Sequence, residues 1–210
     1  MAFDFKQEFP ELYSPKTTPG VVTVPPMNFA AVRGHGAPMD PSGRFQLAIE
    51  LLYHVVFAIK MSRQGPRQID WFFDFVVPPL EGFWWQDGVA ELDLTRKDAL
   101  KWILAIRLPD FVTDADFDWA VREAASKKDR DFSTVEFFRY DEGLCVQCMH
   151  TGAFDDEPAT VAAMRAFALE QGFALDYSPT RLHHEIYLSD ARSAGPDRLR
   201  TVLRLPIRHN

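Results

Sequence analysis

The residues best suited to chemistry lie in R-L-H-H-E-I-Y-L-S-D, Arg181 to Asp190. The run reads as a β-strand that carries one carboxylate, Glu185, among apolar and aromatic neighbours. Successive strand side chains point to opposite faces. Glu185 therefore shares a face with His183 and Tyr187, while His184, Ile186 and Leu188 point the other way. A carboxylate in such a strand is costly to bury unless it has a partner or a task. Desolvation in a hydrophobic cavity raises a carboxyl pKa toward neutrality, where proton transfer is efficient. Glu185 is thus a candidate general base, or a charge that pairs with a ligand cation. The plain alternative is a surface glutamate paired with Arg181 or Arg192. Tyr187 offers a ring to stack and a hydroxyl to donate; a place in the core explains it as well. His183 is positioned to orient the carboxylate, or to end the strand at the surface.

Other residues are weaker candidates. Trp84 and Trp85 are adjacent, so in extended backbone only one faces a given cleft; Trp is the best ring for a cation or a flat aromatic system. Asp74 is either a second acid in the cleft or a strand-edge charge. Tyr53 and Phe154 are candidate pocket walls, although Tyr53 sits in a helical stretch where core packing is commoner. His150, His183 and His184 suggest a metal, but His183 and His184 diverge in a regular strand and no third ligand is evident, so no metal is expected. Cys145 and Cys148, the two cysteines, are three residues apart and fall on opposite strand faces. With no second pair to complete a zinc site they read as small hydrophobes.

These residues must be held by a core, and the chain can build one. It has 210 residues, 47% of them hydrophobic, which suits one large domain or two fused modules. Eighteen Phe make the interior ring-rich, as a ligand cavity would need. Twenty-three basic against 30 acidic residues give a net charge of -7; with no long basic run, nucleic-acid binding is not expected. Neither a signal peptide nor a membrane-length apolar run is visible, so a soluble, cytoplasmic protein without membrane contact is expected.

Residues 1–19 read as an arm. V-V-T-V and F-A-A-V-R follow as strand, interrupted by Pro25-Pro26. With Ser42 as N-cap, Phe45, Ile49, Leu52, Val56 and Ile59 recur at helical steps to about Ser62. Trp71–Val77 reads as a strand stopped by Pro78-Pro79, L-E-G-F-W-W-Q-D-G as an aromatic loop, and Lys101–Leu108 as a strand. Thr113 caps a helix with Asp114 and Asp116 in its first turn. Val135–Tyr140 and Leu144–His150 read as a strand pair turned at Asp-Glu-Gly. A helix follows from about Pro158 to Glu170, ended by Gly172, then the Glu185 strand and T-V-L-R-L-P-I-R.

The same order of elements occurs twice. A-V-R-G-H-G-A-P precedes the first long helix as Q-C-M-H-T-G-A-F precedes its counterpart, and I-L-A-I-R-L-P parallels T-V-L-R-L-P-I. D-F-V-V-P-P stands where E-I-Y-L-S-D stands, which pairs Asp74 with Glu185. A duplication follows, with modules of about 20–130 and 131–210 in one domain of 20–210. Two such modules join their sheets, cover one face with helices and leave a cleft between them.

On H-H-E-I-Y-L-S-D, M-H-T-G-A-F-D-D-E-P and V-V-P-P-L-E-G-F-W-W-Q-D-G, taken in order, the chain resembles the GyrI-like small-molecule-binding proteins, most closely the free-standing two-module subgroup. The likeness covers essentially the whole chain. It implies an α+β, pseudo-twofold fold of duplicated strand-helix-strand-strand modules, with antiparallel sheets and a central cleft, as in bacterial regulator effector-binding domains. It also implies lipophilic, aromatic, often cationic ligands held against rings beside the glutamate that matches Glu185. Some relatives hydrolyse the cyclopropane of cyclopropanoid DNA-alkylating compounds, which would make Glu185, with Tyr187, catalytic; a protein-partner inhibitor of the gyrase type is a third reading. The first expectation is therefore a small-molecule-binding protein of protective function, the second a hydrolase. Neither needs a cofactor. The chain is expected to be a monomer or homodimer.

Overall fold

The computed structural model describes residues 2–38, 42–65, 67–89, 92–93, 96–189 and 195–210. The first elements are two single-turn helices, α1 (Phe5–Glu8) and α2 (Pro10–Tyr13). Strands β1 (Gly20–Val24) and β2 (Met27–His35) follow, then α3 (Arg44–Lys60). Next come β3 (Leu80–Trp85), β4 (Lys101–Leu108), α4 (Asp114–Lys127) and β5 (Val135–Tyr140). The rest comprises β6 (Gly143–Thr151), α5 (Glu157–Glu170), β7 (Phe173–Leu175), β8 (His183–Tyr187) and β9 (Arg200–His209). No helix among the described residues is long and apolar enough to cross a membrane.

Local sequence accounts for the helices. In α3 the buried side chains Phe45, Ala48, Leu52, Val55, Val56 and Ile59 form the stripe that the periodicity predicts. Its N-cap is Gly43 in the left-handed region rather than Ser42, which lies one residue outside and accepts a hydrogen bond from the Arg44 side chain at 3.0 Å. Helix α4 begins with a capping box: Thr113 Oγ1 accepts from the Asp116 amide, and Asp116 Oδ2 accepts from the Thr113 amide, each at 3.2 Å. Pro158 stands in the first turn of α5, and Gly172, at φ 81°, lies just beyond its end.

The strands form one antiparallel sheet in the order β1-β6-β9-β8-β3-β4-β2-β5, with β7 added beside β9. The order is a palindrome in terms of the two halves: β8 and β3 meet at the centre, flanked by β9 and β4, then by β6 and β2, with β1 and β5 outermost. The halves match in detail. The Gly36 amide donates to the Leu100 carbonyl at 2.8 Å, and the Gly152 amide donates to the Leu199 carbonyl at 3.0 Å. Both glycines have positive φ (96° and 139°), a conformation that tolerates no ordinary side chain well. Each outermost strand pairs in the half to which it does not belong by sequence: β1 precedes β2 but pairs β6, and β5 precedes β6 but pairs β2.

Four sequence expectations are corrected. The runs Val135–Tyr140 and Leu144–His150 are strands, but they do not form a hairpin; each finds its partner elsewhere. Trp71–Val77 is not a strand and contributes only the isolated bridge between Phe75 and Phe3. The aromatic segment read as a loop is instead central strand β3. In consequence Gly82, not Asp74, occupies the position equivalent to Glu185, and the two stand opposite one another in the β3–β8 ladder.

Helices α3 and α5 cover one face. Phe45 stacks on Trp84 at 5.9 Å and meets Trp102 edge-on at 5.3 Å. Met164 and Ala168 of α5 pack on Cys148, Leu203 and Leu205. The N-terminal arm covers part of the opposite face. Gln147 Nε2 donates to the Glu11 carbonyl at 2.7 Å, Arg204 Nη2 donates to the Leu12 carbonyl, and the Arg107 guanidinium lies over the rings of Phe5 and Phe9 at 4.6 and 4.7 Å. Beneath the arm is a buried ionic chain. His184 lies 2.9 Å from both Glu81 Oε2 and Glu142 Oε1, and Arg204 Nη1 donates to Glu142 Oε2 at 3.2 Å. Burial alone would raise the Glu142 pKa, but the charges of His184 and Arg204 outweigh it and hold it at about 2. Burial likewise opposes the charge on His184, yet the Glu142 charge and the two hydrogen bonds raise its pKa.

Candidate functional site

The central strand pair builds the site on the helix-covered face. In the β3–β8 register Trp84 stands opposite His183, Gly82 opposite Glu185 and Leu80 opposite Tyr187. His183, Glu185 and Tyr187 therefore share a face, and His184 points into the ionic chain on the other. Glu185 is 9% exposed. Tyr187 Oη donates to Glu185 Oε2 at 2.7 Å, and His183 Nε2 lies 3.1 Å from Glu185 Oε1. Trp84 Nε1 donates to Tyr187 Oη at 3.0 Å. Burial, then the Glu185 charge, push the Tyr187 pKa far up, so the hydroxyl keeps its proton and remains a donor.

Gly82 makes this chain possible. A Cβ there would stand 2.7 Å from both Trp84 Nε1 and Tyr187 Oη. Glycine in a strand commonly marks such a close approach; the signal was present in L-E-G-F-W-W, but reading the segment as a loop concealed it.

A second carboxyl, which sequence reasoning did not single out, joins the group. Glu157, the first residue of α5, is 5% exposed. Burial, then the charge of Glu185, raise its pKa well above the ordinary carboxylate range, against a hydrogen bond with Thr201. Thr201 stands opposite Tyr187 in the β8–β9 register. The desolvation argument made for Glu185 thus applies most strongly to its neighbour. An acid at a helix start beside Pro158 looks like ordinary dipole complementation, so the sequence carried no distinct signal for it.

The remaining candidates divide. The Phe154 ring meets Tyr187 edge-on at 5.9 Å and is 40% exposed, on the open side of the group. His150 is a strut: Nδ1 lies 2.9 Å from Thr160 Oγ1 and Nε2 lies 3.1 Å from the Ala153 carbonyl oxygen, which fixes the segment presenting Phe154 and Glu157. Tyr53 is half-buried on α3 and packs against the core, its ring 6.4 Å from Phe57. Asp74 is at the surface, where it accepts from Lys60 Nζ at 2.8 Å, and its side chain is 58% exposed. Arg181 is engaged with Asp176 and the Glu142 and Leu144 carbonyls; Arg192 lies outside the described residues.

A cavity of about 490 Å³ opens at the end of the same strand pair. Trp84, Trp85, His183, Arg33, Arg181 and Leu182 are among its walls. Both tryptophans reach it, although they lie on opposite faces, because it sits where the strands end. It adjoins the carboxyl group through His183 rather than covering Glu185 itself. Among the described residues no three His, Cys, Asp or Glu side chains are disposed to hold a metal ion. The arrangement offers a carboxyl held at both oxygens, a second buried carboxyl whose pKa burial raises, and aromatic walls, which suits proton transfer to or from a bound organic molecule.

The comparisons bear on the family and the fold. The GyrI-like small molecule binding domain matches residues 17–208. A crystal structure of an uncharacterized conserved protein from Listeria innocua is 45% identical, with a TM-score of 0.91, over 98% of this chain and 100% of that one. A protein from Listeria innocua described as a hydrolase is 43% identical, with a TM-score of 0.89, over the same shares. The EcmrR C-terminal domain, at 11% identity and a TM-score of 0.58 over 92% of this chain and 98% of its own, shares the fold. No curated protein matches the chain. The chain belongs to the GyrI-like small-molecule-binding domain family.

Proposed function

We propose that the chain is a hydrolase of lipophilic aromatic molecules, with Glu185 as general base, and that its substrates carry a strained cyclopropane conjugated to a carbonyl. The observation that carries this reading is the buried Glu185 carboxylate held by Tyr187 on one oxygen and His183 on the other. A base so fixed loses little freedom when it takes a proton. Glu185 removes a proton from water as the water oxygen bonds the ring methylene. The ring C–C bond breaks, and its electron pair passes through the conjugated system to the carbonyl oxygen. Trp84 and Phe154 supply rings against which a planar substrate stacks. The Listeria innocua hydrolase at 43% identity supports the same reaction class.

A second reading, sequestration of a lipophilic cation, has one observation in its favour. Among the described residues Glu185 is buried against Tyr187 and His183 rather than a Lys or Arg, surroundings that suit a ligand cation. One set of measurements separates the two. The protein is incubated with a duocarmycin-type cyclopropanoid and ring opening is followed by mass spectrometry. The hydrolase reading expects a product heavier by one water, with turnover lowered on the order of 10²-fold or more in Glu185→Gln. Stoichiometric binding without product refutes it. Titration with rhodamine 6G tests the second reading: tryptophan quenching that is unchanged in Glu185→Gln speaks against it.

A further inference from the structure

Glu157 is placed as an acid rather than as a helix-start anion. One carboxyl oxygen, Oε1, is buried and has no hydrogen-bond partner among the described residues. The carboxyl also hydrogen-bonds the Thr201 side chain, beside Tyr187. An ionised carboxylate with a buried, unpartnered oxygen, within reach of the charge of a second carboxylate, is a costly arrangement; a protonated carboxyl fits it. The Glu185 charge reaches Glu157 strongly enough to reinforce the upward shift that burial begins, as when two carboxyls share one proton.

We propose that Glu157 is the proton donor of the reaction in which Glu185 is the base, an inference that rests on the hydrolase reading above. The starting state has its proton on Glu157 and none on Glu185. Water gives one proton to Glu185 while its oxygen bonds the ring methylene. The electron pair of the broken ring C–C bond arrives at the conjugated carbonyl oxygen, and Glu157 protonates that oxygen. Transfer of the proton from Glu185 to Glu157 restores the start. One water is consumed and no other reactant is needed. The two carboxyls thereby hold distinct tasks set by their surroundings.

The test compares wild type with Glu157→Gln, which keeps the shape and neutrality of the protonated acid, on the same cyclopropanoid. Turnover is expected to fall roughly 10²-fold or more, while binding of the intact compound, read by tryptophan quenching, stays within about threefold. Wild-type turnover should decline as pH rises through the Glu157 pKa, because the donor loses its proton, and this alkaline limb should vanish in Glu157→Gln. Infrared difference spectra at neutral pH should show a protonated-carboxyl C=O band that is absent from the variant. Wild-type turnover with an unimpaired Glu157→Gln, or absence of that band, overturns the donor assignment alone. Absence of wild-type turnover overturns the hydrolase reading and the donor role with it. Should Glu157→Gln fail to fold, Glu157→Asp, which retains an acid but shortens its reach, must lower turnover and preserve the alkaline limb; equal turnover overturns the assignment.

Discussion

Replacing Gly82 by alanine tests the packing that assembles the site. The new Cβ would stand 2.7 Å from Trp84 Nε1 and 2.7 Å from Tyr187 Oη, where about 3.5–4.0 Å is normal for nonbonded carbon contacts. Each ring must retreat by roughly 1 Å. Neither has room. Trp84 is stacked on Phe45 at 5.9 Å, and Tyr187 is tied to Glu185 at 2.7 Å. The 3.0 Å bond between Trp84 and Tyr187 is the first to yield. Overpacking of this kind costs about 1–3 kcal/mol, and the lost hydrogen bond about 1 kcal/mol. Alanine's advantage over glycine in a strand returns only about 0.5–1 kcal/mol. The net expectation is a loss of about 1–3 kcal/mol, which at a urea slope of about 2 kcal/mol/M lowers the unfolding midpoint by about 0.5–1.5 M. Ligand affinity should fall too. Gly20→Ala is the control, because a Cβ there meets nothing within 4 Å; it should leave both readouts alone. A Gly82→Ala protein that unfolds at the wild-type urea concentration and binds unchanged would refute the reasoning.

Three further predictions concern groups outside the site. Because the folded Glu142 pKa is about 2 against an ordinary 4.5, that carboxylate contributes on the order of 3 kcal/mol above pH 4.5, lost as pH falls toward 2. The raised His184 pKa has the opposite sign: its contribution is complete below its ordinary value of 6.5 and is lost as pH rises through the folded value. Urea midpoints measured across pH should therefore peak between those limits, and a flat profile would contradict the ionic chain. His184→Gln should remove the alkaline decline and destabilise the protein by roughly 3–5 kcal/mol at pH 6, as when a buried ion pair loses a partner. Asp74→Asn, at an exposed residue away from the Glu185 pair, should change neither cyclopropanoid turnover nor dye affinity; a loss of either in enzyme assays would place Asp74 in the site after all.

The helices and the Glu185 face were legible because they rest on local rules. Period-two alternation put His183, Glu185 and Tyr187 together, and helical spacing with caps located α3, α4 and α5. What escaped depends on contacts distant in sequence. The Asp-Glu-Gly turn between β5 and β6 looks like a hairpin, yet both strands are captured by others more than a hundred residues away in sequence, as in the pairing of Val135 with Val32 and of Val24 with Gly143. D-F-V-V-P-P has strand composition, which equates Asp74 with Glu185; Phe75 turns instead toward Phe3 of the arm. Glu157 was hidden by its place in an acidic helix start, where only the three-dimensional course of α5 distinguishes the inward acid from Asp155, whose side chain is 81% exposed.

The crossing of β1 and β5 between halves has a consequence for ancestry and for protein engineering. A gene for one half alone would encode a subunit whose leading strand has no home within itself. Two copies would have to trade those strands and associate, as in domain-swapped pairs, before either gained a closed interior. The pairing of β1 with β6 and of β5 with β2 is the pattern that such a swapped pair would leave if its two chains were joined. Expressed as separate pieces, the halves should accumulate only when both are made in the same cell.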